Sequence, residues 1–206
     1  MQIPTLEQAH QLLHEAEMHN PGPWVDHSLY AARAAQYLAE PLSHRGWDLL
    51  PESAYILGLL HDIGRIRGVT DMRHIMDGYH YMIDLGYADT ARICLTHSFP
   101  LQNLQAMSGN WDGTTEDWNF IAEFLADVQY NAYDRLIQLC DAIALPDGFC
   151  LLEKRIVDVA LRRGINELTL DKWKAFFALE RDVEQALGAS IYRFLPGVVE
   201  NTFNLN

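Results

Sequence analysis

Basic residues are scarce in this chain, cysteines number three, and no apolar run is long enough to span a bilayer. Each shortage removes a class of protein. Lysine and arginine total 15 against 28 aspartates and glutamates, a formal net charge of -13. A general nucleic-acid surface needs a basic stripe that displaces counterions from phosphates, so that role is excluded. Small phosphorylated ligands are not, because a bound divalent cation inverts the field locally. Cys94, Cys140 and Cys150 lack CxxC spacing and sit in apolar or helical contexts, which fits reduced thiols in a cytosol rather than a disulfide framework. The start, Met1-Gln2-Ile3-Pro4, has neither a basic region nor a long apolar stretch, so a cytoplasmic protein without a membrane segment is expected. Strand-type alternation, internal repeats and low-complexity blocks are missing too.

What is present is helical spacing. The chain has 206 residues, 49% of them hydrophobic, enough for one large core, and the pattern predicts an all-α, compact single-domain bundle over 1–206. Leu6, Ala9, Leu12, Leu13 and Ala16 mark a first helix. A second runs from Asp26, read as its N-cap, to a stop at Pro41. Further helices are predicted from Pro51 to the His61-Asp62 pair, from Thr70 to a stop at Gly86, and from Asp89 to His97. Others follow from Glu116 to Val128, from Tyr133 to a stop at Pro146-Asp147-Gly148, from Leu151 to Arg163 and from Leu170 to Leu187. Trp173, Phe176, Phe177, Val183 and Leu187 form an inner face for the core or a partner helix, so a homodimer is admitted. Pro196-Gly197 is read as the end of order. Residues 98–130, with their polar turn-rich loop, either lid a pocket or pack on the bundle; both stay open.

Chemistry concentrates where apolar helices end in ionisable groups. The run Leu59-Leu60-His61-Asp62-Ile63-Gly64-Arg65 closes a helix that is apolar nearly all round and therefore buried. A buried carboxylate needs a partner. Asp62 has two readings, a salt bridge to Arg65 or a metal ligand. Repetition favours the metal, since His27, His97 and Asp141 also stand where helical periodicity calls for a hydrophobe. Imidazole and carboxylate together suit a hard or borderline divalent cation. Gly64 and Gly68 are expected to turn the backbone sharply, and Arg65 and Arg67 between them are candidates for gripping a phosphate. Gly78, one turn after His74, leaves room for a close approach. His10, His14, His19, His44 and His80 read as exposed.

The ordered series His27, His61-Asp62, His74 with Gly78, His97 and Asp141 resembles the HD-domain metal-dependent phosphohydrolases over residues 24–145, with Leu60-His61-Asp62-Ile63-Gly64-Arg65 similar to their signature stretch. Residues 146–206 would then be a C-terminal helical extension. The resemblance implies that His27, His61, Asp62 and Asp141 hold one divalent cation, while His74 and His97 with a bridging Asp62 hold a second. Iron and manganese suit such donors. Many two-metal members carry another histidine directly after the position of His97; this chain has Ser98, assigned with Arg65 and Arg67 to the substrate. Asp62 and Arg65 are the expected catalytic residues. Such a cation lowers the pKa of a bound water toward roughly 7 and draws charge off a phosphoryl oxygen, which implies hydrolysis of a phosphomonoester or phosphoanhydride. Cyclic-dinucleotide phosphodiesterases of the HD-GYP type have Gly-Tyr-Pro where Ser98-Phe99-Pro100 stands here. The small bacterial hydrolases that split diadenosine tetraphosphate symmetrically are closer in size, so a nucleotide is the leading substrate. The alternatives are a non-catalytic regulatory module that binds metal or nucleotide, and a metal-free helical interaction protein whose buried acids pair with arginines.

Overall fold

The computed structural model describes residues 1–205 and is all-α apart from one small hairpin. The helices are α1 (Leu6–His19), α2 (Trp24–Ser43), α3 (Pro51–Leu60), α4 (His74–Asp84), α5 (Ala88–Thr96), α6 (Thr115–Asp127), α7 (Ala132–Asp141), α8 (Leu152–Arg163), α9 (Thr169–Leu187) and α10 (Val198–Phe203). Among the described residues, no helix is long and apolar enough to cross a membrane.

Small residues set how closely the central helices approach. α2 buries Ala31, Ala32, Ala34, Ala35 and Ala39, and Gly58 of α3 lies so near that an added Cβ would sit 2.8 Å from the Ala32 Cα. One core joins α2, α7 and α9 through Leu38, Leu42, Ile137, Phe176 and Val183. A second joins α1 and α3 through Leu13, Ile56, Leu59 and Leu60. A third lies beneath α6, where Ile121 and Leu125 meet Ile75, Leu95 and Phe99. Burial of this kind supplies the main favourable term in folding.

One polar group locks the interior. Asp134 has no solvent exposure and receives Arg92 Nη2 at 2.6 Å, Thr96 Oγ1 at 2.8 Å and the Asn131 backbone N–H at 2.8 Å. Gln138 Nε2 donates to the Thr96 carbonyl at 3.0 Å. The C-terminal half of α5 is thereby fixed beside α7 from its first turn to Gln138, as fully satisfied buried networks do.

Several boundaries differ from the sequence expectations, each for a local reason. α2 starts at Trp24 after Pro23, and Asp26 is not its cap; it lies in the first turn, where its charge favours the helix N-terminus. Pro41 sits inside the last turn of α2 rather than ending it, because only one intrahelical donor is lost so near the C-terminus. Pro146-Asp147-Gly148 does not terminate α7. That helix stops at Asp141, and an antiparallel hairpin follows, β1 (Ala144–Leu145) and β2 (Gly148–Phe149), so Leu145 is no helical neighbour of Asp141. Nor does order end at Pro196-Gly197. Gly197 takes a left-handed conformation that starts α10, and Lys154 Nζ fastens it by donating to the Asn201 and Thr202 carbonyls at 2.9 and 2.8 Å.

Gly68 has φ +117°, but Gly64 serves contact rather than turning. It lies in a 3-10 helix, Ile63–Arg67, pressed onto α4: an added Cβ would be 1.9 Å from the His74 carbonyl oxygen and 2.4 Å from the Gly78 nitrogen. Backbone cannot yield as a side chain can. Gly64→Ala is therefore expected to destabilise the protein by about 3 kcal/mol or more in urea unfolding; an unchanged midpoint would contradict the close approach.

Candidate metal centre

Helix ends carry all the candidate ligands, and ends have backbone carbonyls free to accept. His27 lies in the first turn of α2, His61 caps α3 with Asp62 next, His74 opens α4, His97 caps α5 and Asp141 closes α7. Of the nine histidines these four are buried and the other five exposed, which separates the series from the rest.

Each buried ring is turned the same way. Nδ1–H donates to a carbonyl in all four: His61 to Gly58 at 2.7 Å, His97 to Ile93 at 3.1 Å, His27 to Ala144 at 3.2 Å and His74 to Asp71 at 2.5 Å. A carbonyl only accepts, so Nδ1 can donate in each ring while Nε2, facing inward, is left for a cation or for a carboxylate. That is how backbone partners orient metal-binding imidazoles. His27 Nε2 lies 2.9 Å and His61 Nε2 3.7 Å from Asp141 Oδ1. Around Asp62 Oδ1 are His74 Nε2 at 3.1 Å and His97 Nε2 at 3.5 Å. The rings of His61 and His97 are 4.9 Å apart between centroids, so the two groups share one centre.

Charge and burial act against each other at this centre. Burial opposes ionisation of Asp62, but Arg65, His74 and His61 outweigh it and hold the carboxyl well below its usual range. Burial likewise opposes ionisation of Asp141, and the hydrogen bond from His27 with the nearby imidazoles reverses the effect. His61, by contrast, is pushed down to about 4 by burial, and His74 is lowered by burial and by Arg65. For His97 burial is outweighed by Asp62, and the value rises. Two carboxylates thus face rings of which His61 and His74 resist protonation through burial, and the buried His61 Nε2 has no hydrogen-bond partner. A divalent cation fits: His27, His61 and Asp141, and separately His61, Asp62 and His97, bring their donor atoms within 4.8 Å of one another. His74 joins through Asp62.

The salt bridge of Asp62 to Arg65 is formed, and it leaves the other carboxylate oxygen free for the metal reading. Its Oδ2 accepts from Arg65 Nε at 2.6 Å, while Oδ1 faces the imidazoles. Arg65 and Ser98 line a cleft of about 710 Å³ that opens on the centre. Arg67 does not: it is exposed and lies outside the cleft lining.

Two residues that sequence reasoning passed over stand beside the site. The Asp71 carbonyl holds His74, while its carboxylate accepts from the Asn110 backbone N–H at 2.7 Å and Arg163 Nη1 at 2.9 Å, clamping the loop and α8 over the start of α4. Residues 106–110 consequently line the cleft, whereas α6 packs into the third core. Lys172 lines the cleft from α9, on the buried stripe Lys172, Phe176, Leu179, Val183, Leu187; Trp173 and Phe177 are only partly buried. Its place four residues before Phe176 was the available signal.

With this geometry in view, the match of the HD domain family over residues 24–145, more than half of the chain, makes the protein a member of that family. Neither the curated proteins nor the solved structures yield a match.

The metal-free protein should lose stability in acid. His61 is neutral in both states above pH 6.5; between 6.5 and about 4 only the unfolded chain takes its proton, so stability falls. His74 acts in the same sense, His97 opposes with stability that is full below its unfolded value, and the two carboxylates lose theirs below about 3.8. The urea midpoint of chelator-treated protein is expected to drop from pH 6.5 to 4, less steeply in His61→Gln. A flat profile would contradict neutral, buried His61.

Proposed function

We propose that the protein is a divalent-metal-dependent phosphohydrolase that cleaves a phosphomonoester or phosphoanhydride in a small molecule of the nucleotide class. The observation that carries the reading is the common orientation of four buried imidazoles, Nδ1 held by carbonyls and Nε2 aimed at two ionised carboxylates, with His61 Nε2 unpartnered. His27, His61, Asp62 and Asp141 hold one cation; His74 and His97, sharing Asp62, hold a second. Iron or manganese matches the mixed donors. When bound, the cation supplies Lewis acidity toward the phosphoryl group and toward water.

The chain's own residues position the rest. Arg65 fixes Asp62 through Nε, and the remaining guanidinium donors are available to a phosphoryl oxygen at the cleft. Ser98, next to His97, offers a hydroxyl to the same group. Trp24, Trp173 and Phe176 give the cleft apolar walls of the kind a nucleobase stacks on, which supports a nucleotide. Arg67 is left out of the binding role because it lies outside the cleft.

The test is phosphate release from a panel of nucleotides by the full chain loaded with manganese or iron(II). Turnover is expected in the wild type, with His61→Ala and Asp62→Ala reducing it by about a thousandfold or more and lowering the bound metal. Metal bound without turnover on any phosphate ester would favour the regulatory module. Turnover undiminished in both variants would overturn the assignment of the centre.

A further inference from the structure

Among the described residues, Lys172 is the one cation lining the cleft that has no carboxylate at ion-pair distance. It is only 8% exposed, and among the described residues its Nζ has a single hydrogen-bond partner, Ser108 Oγ at 3.1 Å, and no carboxylate at ion-pair distance. The other basic groups that line the cleft are compensated: Arg65 by Asp62, Arg163 by Asp71, and Arg155 and Arg162 by Asp158. Lys174, two residues on, is exposed and paired with Asp171 at 2.9 Å. An ammonium removed from water without a paired carboxylate costs several kcal/mol, roughly, so a buried stripe would ordinarily carry leucine or methionine at this place.

From this we infer that Lys172, steadied by Ser108, is an anion subsite that receives a phosphoryl group of the substrate other than the one cleaved. The substrate then bears at least two phosphoryl groups, one at the metal centre and one at α9. The inference rests on the phosphohydrolase reading and deepens it. Burial brings the ammonium down to about 8, with Asp141 opposing, so it is still cationic at neutral pH. Two of its three donors remain for ligand oxygens, and Ser108 accepts from the third, which leaves its own hydroxyl proton free to point elsewhere. Lys172 lies outside residues 24–145, so specificity for the second group would come from the C-terminal helices.

Two non-hydrolysable probes test this without turnover: methylenediphosphonate and methylphosphonate, each titrated calorimetrically into the full chain in excess magnesium. The wild type is expected to bind the diphosphonate at least about tenfold more tightly, a preference lost in Lys172→Met and kept in Lys172→Arg. Ser108→Ala removes the tether but not the charge and should retain most of the preference. If Ser108→Ala abolishes it as fully as Lys172→Met, the lysine is a clasp for the loop and the inference falls. It falls too if the wild type shows no preference or Lys172→Met keeps it. Lys172→Gln serves should the methionine variant not fold. Because neither probe is cleaved, the outcome is independent of the nucleotide panel: lost preference with no turnover would sink the phosphohydrolase reading alone, and turnover with an unaltered preference would sink this one alone.

Discussion

Two ionised carboxylates drawn among buried imidazoles are the constraint on which the rest of the structure depends. Asp62 is 5% exposed and Asp141 opens only partly onto the cleft, yet both are held anionic, and one guanidinium answers them directly. Uncompensated charge in a low-dielectric interior is costly unless a cation is coordinated there. The rings cannot relieve it as hydrogen-bond donors while their Nδ1 protons point to carbonyls, unless they become imidazolium, and burial works against that at His61 and His74. Coordination satisfies the carboxylates and the inward-facing Nε2 atoms together.

Distant parts of the chain meet at this point because helix ends are made to converge. The Asp134 network joins α5 to α7 and so carries His97 toward Asp141. Gly64 and Gly78 let the segment after Asp62 press against α4, which brings in His74. The hairpin after α7 contributes the Ala144 carbonyl that orients His27. His27, His74 and His97 are thus set by interactions outside the centre, a requirement for geometry held without reliance on a metal.

The candidate ligands that the fold brings together were legible in the sequence because ionisable residues in apolar helices violate the expected periodicity, and their order matches a family pattern. His27, His61, Asp62, His97 and Asp141 stand out for that reason. Orientation was not legible: which ring nitrogen faces inward depends on carbonyls at Gly58, Asp71, Ile93 and Ala144, and backbone carbonyls leave no mark in residue identity. Helix ends were misread where proline or glycine served another purpose, as at Pro41, Gly64 and Pro196-Gly197. Lys172 was not legible because lysine on an amphipathic helix ordinarily marks the solvent face, and only the packing of α9 shows it on the buried stripe.

The cleft is completed by segments beyond residue 145, with α8 and α9 lining it beside the loop at 106–110, which Lys172 touches through Ser108. The most direct measurement is anomalous diffraction from crystals of the full chain grown with manganese. A peak is expected at about 2.0 to 2.3 Å from His61 Nε2, within reach of Asp62 and Asp141 carboxylate oxygens. Saturating manganese with no peak at this place, and the imidazoles instead donating directly to the two carboxylates, would contradict the claim that a cation makes their burial tolerable.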